Sequence, residues 1–146
     1  MKLWIRNILI GAGILTLAFA VFIFCCIALF LLPTNDRDNA NPTKKTEMVD
    51  LSIRWGQLAP FPSSSQNFSI HTEGNSFTRT FRGSFTDSPQ IISQWLKDSR
   101  GVSEGTSEIQ PDKSTKYILR TAEGASYGEV IVSPDQSHVS FRVSWS

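Results

Sequence analysis

An uncharged apolar run extends from Ile8 to Leu32, and Thr16 carries its only hydroxyl. As an α-helix this run would be about 37 Å long, whereas the hydrocarbon core of a bilayer is about 30 Å thick. It is also longer than the apolar stretch of a cleaved signal peptide. We therefore predict one uncleaved transmembrane helix, a signal anchor, over residues 8–32.

The flanking charges indicate how this anchor is oriented. The short basic tail formed by residues 1–7 carries Lys2 and Arg6, while the nearest basic residue on the other side is Arg37, between two aspartates. A short basic tail before a long apolar run is typical of a signal anchor whose tail stays in the cytoplasm. The sequence thus predicts that the C-terminal domain is extracytoplasmic, that is, periplasmic or extracellular.

Small residues recur every fourth position in the run, at Ala12, Thr16 and Ala20. Such a stripe can allow two membrane helices to approach closely, as in an accessory subunit of a membrane complex. Ordinary small residues in a lipid-facing helix are the simpler interpretation. Both cysteines, Cys25 and Cys26, also lie in the run, so the rest of the chain cannot form a disulfide, a thiolate zinc site or a cysteine nucleophile.

Beyond the anchor, residues 33–50 are polar and contain Pro33 and Pro42, which predicts a flexible linker. From residue 33 onward there are 12 lysines and arginines against 13 aspartates and glutamates. Without a basic stripe, nucleic acid is not an expected partner. Residues 51–146 are then long enough to form a soluble domain with its own core.

The clearest element of this domain is a helix over residues 88–99. Pro89 follows a capping residue, and Ile91, Ile92, Trp95 and Leu96 share one face. Gly101 is the predicted stop signal.

Alternating apolar residues predict strands on both sides of this helix. The last strand alternates Val139, Phe141 and Val143 with polar residues. It should form a hairpin with Tyr127–Ser133 across a Pro134–Ser137 turn. Other predicted strands are Phe68–Glu73, Phe77–Phe85, Tyr117–Thr121 and a weaker Leu51–Trp55. The expected fold is α+β: a mostly antiparallel sheet of five or six strands with one packed helix.

The polar residues do not form a recognisable catalytic motif, and the sequence assigns no catalytic, cofactor-binding or metal-binding residue. If the domain is a small membrane-tethered enzyme, its site must assemble in three dimensions from His71, Glu73, Arg79 and His138. A metal site built from the two histidines with Glu73 would require neighbouring strands. The acids Glu104 and Glu108 are most simply solvated loop residues.

Two segments are predicted to be irregular loops, Gly101–Ser114 and Pro60–Ser65, the latter with Phe61 exposed between prolines. The leading hypothesis is a non-enzymatic, membrane-tethered interaction module that contacts a protein partner through loop 101–114. The oligomeric state is open.

Overall fold

The computed structural model describes residues 21–24, 42–75 and 77–146. The chain divides into two units, Met1–Leu32 and Pro33–Ser146. In the first unit, residues 21–24 are helical, and the rest of the predicted anchor lies outside the described residues. No helix within the described ranges is both long and apolar enough to cross a membrane.

The second unit has an α+β fold, as the sequence predicts. Its helices are α1 (Pro42–Gly56), α2 (Pro89–Asp98) and α3 (Arg100–Ser103). Its strands are β1 (Gln66–Gly74), β2 (Arg79–Thr86), β3 (Thr106–Ile109), β4 (Thr115–Ile118), β5 (Tyr127–Val132) and β6 (His138–Trp145).

The six strands form one antiparallel sheet in the order β1-β2-β6-β5-β4-β3. Strands β3 to β6 run as a meander, and β6 returns to pair with β2. Helices α2 and α3 connect β2 to the far edge, where β3 begins. Both predicted hairpins, β1-β2 and β5-β6, are confirmed.

The core lies on one face of this sheet. Phe81 and Phe85 of β2 are buried and share a face because side chains alternate along a strand. Trp55 of α1 lies 5.2 Å from the Phe81 ring, and Trp95 of α2 lies 5.2 Å from the Phe85 ring. Helices α1 and α2 therefore pack on the same face of the sheet.

Helix α1 corrects two sequence predictions. The flexible linker was expected to extend to residue 50 and a strand to cover Leu51–Trp55, but residues 42–56 are helical. Pro42 begins the helix, at a position where its missing N–H costs nothing. The buried face includes Met48 and Ser52. The Ser52 hydroxyl donates to the Met48 carbonyl at 2.7 Å. A buried serine interrupts the apolar pattern, which is why the pattern does not predict a helix.

Half of the predicted loop Gly101–Ser114 is regular structure. Its first residues belong to α3, and residues 106–109 form the edge strand β3, in which Ile109 is 80% exposed. Residues 104–105 and the turn between β3 and β4 remain irregular. The prediction of a 14-residue loop is wrong because β3 is short and all four of its residues are exposed, so it has no apolar alternation.

Helix α2 confirms the helix predicted over residues 88–99, with Ser88 and Ser99 as its caps, but Gly101 belongs to α3 and is not the stop signal. The C-cap Ser99 is fully buried. The Ser99 hydroxyl donates to the Trp95 carbonyl at 2.8 Å and accepts from the Ala59 N–H at 2.9 Å. This buried side chain thereby joins α2 to the segment that follows α1.

The expectation that Phe61 is exposed is also wrong. Its ring is partly buried and packs against the core. Four aromatic rings have centroids within 5.9 Å of it, those of Phe68, Phe85, Trp95 and Phe141. The segment between α1 and β1 is therefore attached to the core through Phe61.

Candidate functional site

The face of the sheet opposite the helices, here called the open face, carries mostly polar side chains. Neither α1 nor α2 lies on it, and most of its side chains are half-buried or exposed. The strand register assigns to it Ser69, His71, Glu73, Thr80, Arg82, Ser84, Tyr127, Glu129, Ile131, His138, Ser140, Arg142 and Ser144. A groove of about 340 Å³ crosses this face.

Three of the four residues named for a possible enzyme, His71, Glu73 and His138, lie on the open face, and the two histidines line the same groove. His71 Nε2 is 3.4 Å from Glu73 Oε1. His71 is level with Arg142 across the sheet, because both residues flank Arg82 in the strand register. His138 lies four residues from Arg142 on β6, which is roughly 13 Å along the strand. Arg79 projects from the other face at the sheet margin and is exposed.

Within residues 21–24, 42–75 and 77–146, no cluster of histidines, cysteines or acids could hold a metal ion. In the same part of the chain, neither the His71 nor the His138 imidazole is hydrogen-bonded to a serine hydroxyl.

The two loop acids are engaged in ion pairs at the opposite end of the sheet. Glu104 contacts Arg100 at 2.6 Å and Arg120 at 3.0 Å. The hydrogen bond from Arg100 is the main reason that the pKa of Glu104 lies below its usual value. Glu108 lies 3.9 Å from the Lys116 ammonium. These contacts explain both acids as surface residues that neutralise neighbouring cations.

Sequence reasoning missed the two arginines at the centre of the open face. Arg82 of β2 and Arg142 of β6 are directly opposite each other, with His71 beyond Arg82 and Glu129 beyond Arg142. Like charges at directly opposed positions destabilise a sheet. In the sequence both arginines are ordinary polar residues of alternating strands, and only the register shows that they are neighbours.

The positive charge of the Arg82 guanidinium is neutralised by the Glu73 carboxylate on the neighbouring strand β1. Its Nε donates to Glu73 Oε2 at 2.8 Å, and this hydrogen bond is the main cause that lowers the pKa of Glu73 below its usual value. The contact draws the Arg82 guanidinium towards β1. Arg82 and Glu73 thus form one satisfied pair at the edge of the groove.

Glu129 forms a second pair on the opposite side. Its carboxylate accepts from the Tyr127 hydroxyl at 2.6 Å and lies 3.3 Å from the Lys116 ammonium. Burial alone would raise the pKa of Glu129, but the hydrogen bonds from Tyr127 and Lys116 outweigh it and the pKa is lowered. Glu129 is therefore ionised, and its carboxylate already accepts hydrogen bonds from Tyr127 and Lys116.

Arg142 lies between these two pairs, opposite Glu129, and its charge is one of the causes that lower the pKa of Glu129. Its guanidinium carbon is 5.6 Å from the centroid of the Tyr127 ring, a cation–π contact. Among the described residues, its Nε is the buried side-chain nitrogen that has no hydrogen-bond acceptor. A buried donor left without an acceptor costs about 1–3 kcal/mol. This unsatisfied donor distinguishes the open face from the rest of the described surface.

A larger depression beside α2, of about 590 Å³, lacks such a group. Its polar residues include Gln94, Asp98 and Arg100. Gln94 donates to Asp98 at 2.9 Å, and Arg100 donates to Glu104 at 2.6 Å. Because these groups satisfy one another, the groove on the open face is the stronger candidate.

The comparisons with known proteins do not suggest a function for this site. The chain matches no protein-family model, curated protein or solved structure.

Proposed function

We propose that this chain is a membrane-anchored, non-enzymatic binding module that presents the open face of its sheet to a partner outside the cytoplasm. The unsatisfied, buried Nε of Arg142 is the observation that carries the proposal. Helices α1 and α2 pack on the opposite face of the sheet, and Arg142 lines a groove that a partner can reach. Arg79 projects from the other face, and His71 and His138 line the groove at separate positions, which favours binding over catalysis.

The anchor is proposed from the uncharged run over residues 8–32. Its single-pass topology would hold the domain near the outer surface of the membrane. The segment 101–114 is retained as a second proposed contact for a protein partner, now through the exposed edge strand β3. Sheet edges offer unpaired backbone groups to other chains, and Ile109 adds an exposed apolar side chain.

The proposed topology predicts a definite result with reporter fusions at Ser146. A reporter that is active only outside the cytoplasm should be active, and one that fluoresces only inside should be silent, because the basic tail is retained on the inner side. Deleting residues 8–32 should abolish both export and membrane association. A fluorescent inner reporter on the full chain would show that the orientation is reversed.

Binding through the open face predicts a position-dependent crosslink. A photoreactive amino acid should be placed at Ser140, at Ile109 or at Lys97 in the full chain, and the cells irradiated. Ser140 lines the groove, whereas Lys97 is exposed on α2 and serves as the control. We expect a discrete adduct from position 140 and none from position 97.

The other outcomes are equally informative. An adduct from position 109 alone would assign the contact to β3 rather than to the open face. Equal adducts from positions 140 and 97, or none from 140, would contradict the proposal.

A further inference from the structure

The arginine pair of the open face indicates the chemistry of the ligand that it would bind, and this inference rests on the proposed binding function. Arg82 and Arg142 are directly opposite each other in the strand register and line one groove, together with Ser84 and Ser140. Two opposed cations are mutually unfavourable, and the repulsion would be relieved by an anion placed between them. A guanidinium is a planar fork that matches an oxyanion with two parallel hydrogen bonds.

The charges around the groove limit the charge of that anion. Arg82 is paired with Glu73, and Lys116 is paired with Glu129. Arg142 is then the remaining cation, which leaves one positive charge with neutral histidines. Glu108, 3.9 Å from Lys116 on the edge side, brings the formal sum of these three cations and three carboxylates to zero. A dianion would be repelled by the flanking carboxylates, so the balance favours a monoanion.

We propose that the groove binds a carboxylate group, held by the guanidinium groups of Arg142 and Arg82 with Ser84 as an additional donor. The guanidinium of Arg142, whose Nε has no acceptor in the protein, would supply the main hydrogen bonds to the carboxylate. The carboxylate could come from an acidic side chain of a peptide or from a free small acid, which present the same planar group. The groove, at about 340 Å³, has room for the carboxylate together with the residue or small molecule that carries it.

The test is a nuclear magnetic resonance titration of the full chain in a non-ionic detergent, with nitrogen-15 in its arginine side chains. The Nε–Hε signal of Arg142 is followed at pH 7.5 with four probes: acetate, a blocked tripeptide with a central glutamate, inorganic phosphate and chloride. We expect saturable shifts with acetate or the peptide, weaker binding of phosphate and no saturable shift with chloride. The stronger of the first two identifies the source of the carboxylate.

Matched variants test which arginines are responsible. Arg142→Lys keeps the charge but loses the planar fork, and should weaken carboxylate binding about tenfold or more. In that variant the signal of Arg82 provides the readout. Arg82→Lys should weaken binding too, and it remains interpretable if Arg142→Lys fails to fold. Arg79→Gln removes an exposed arginine from the same strand but the other face, and should bind as the wild type does.

Three results would overturn the carboxylate site: equal responses to chloride and acetate, tighter binding of phosphate than of acetate, or no saturable shift with any probe. They would leave the binding function intact if a photoreactive residue at position 140 still formed its adduct. Loss of that adduct together with retained carboxylate binding would instead contradict the partner-binding function and preserve the site.

Discussion

Replacing Gly101 by alanine is expected to destabilise the domain by about 3 kcal/mol, at the upper end of overpacking costs. A Cβ at this position would lie 1.9 Å from the carbonyl oxygen of Gly56 and 3.2 Å from that of Arg120. Neither oxygen can move away freely, because two backbone hydrogen bonds hold the segments around Gly56, Gly101 and Arg120 together. Gly101 N–H donates to the Gln57 carbonyl, and the Arg120 N–H donates to the Gly101 carbonyl, each at 2.9 Å.

The measurement is urea unfolding of the full chain in a non-ionic detergent, followed by tryptophan fluorescence. Gly124→Ala is the matched control, because a Cβ there would approach no atom closer than 3.7 Å. Its φ of +82° is strained for alanine, so we expect a loss of about 1 kcal/mol. A loss at Gly101 no larger than that at Gly124 would contradict the close approach of these segments.

Replacing Phe61 by alanine should cost about 3 kcal/mol, near the lower end for truncating a core aromatic, since the ring is only partly buried. Its centroid lies 4.9 Å from that of Phe141 and 5.2 Å from that of Phe68. Truncation would therefore leave a cavity between the core and the segment preceding β1. The same urea unfolding experiment measures the loss.

Ile109→Ala is the control for Phe61, since this side chain is 80% exposed and its removal should cost about 0.5 kcal/mol or less. If Phe61→Ala leaves stability unchanged but abolishes a crosslink from the open face, then Phe61 acts at a binding surface. In that case the packing role assigned to it would be wrong.

The strand patterns were predictable because each strand of the core buries alternate residues. Val139, Phe141 and Val143 are all buried, whereas Trp145, at the end of the same pattern, is 42% exposed. The turn was predictable for a similarly local reason. Asp135 accepts hydrogen bonds from the Ser133 and Ser137 hydroxyls, which lower the pKa of its carboxyl to about 2.

Helix α1 was not predictable from the same rules. Its N-terminal half is polar and largely exposed, and at its end Gln57 adopts a φ of +48° where glycine is the usual residue. The conformation is supported by a contact distant in sequence, since the Gln57 amide donates to the Arg120 carbonyl at 2.8 Å. Such a contact stabilises a backbone conformation that local propensity does not predict.

Composition and local periodicity are sufficient to predict the anchor, the α+β class and the absence of cysteine from residues 33–146. The anchor stays a prediction, since most of Ile8–Leu32 lies outside the described residues. Strand pairing, by contrast, places Arg82 directly opposite Arg142 and leaves His71 and His138 on strands that are not adjacent. Sixty residues separate the two arginines, and strand register, which depends on the whole sheet, brings them together.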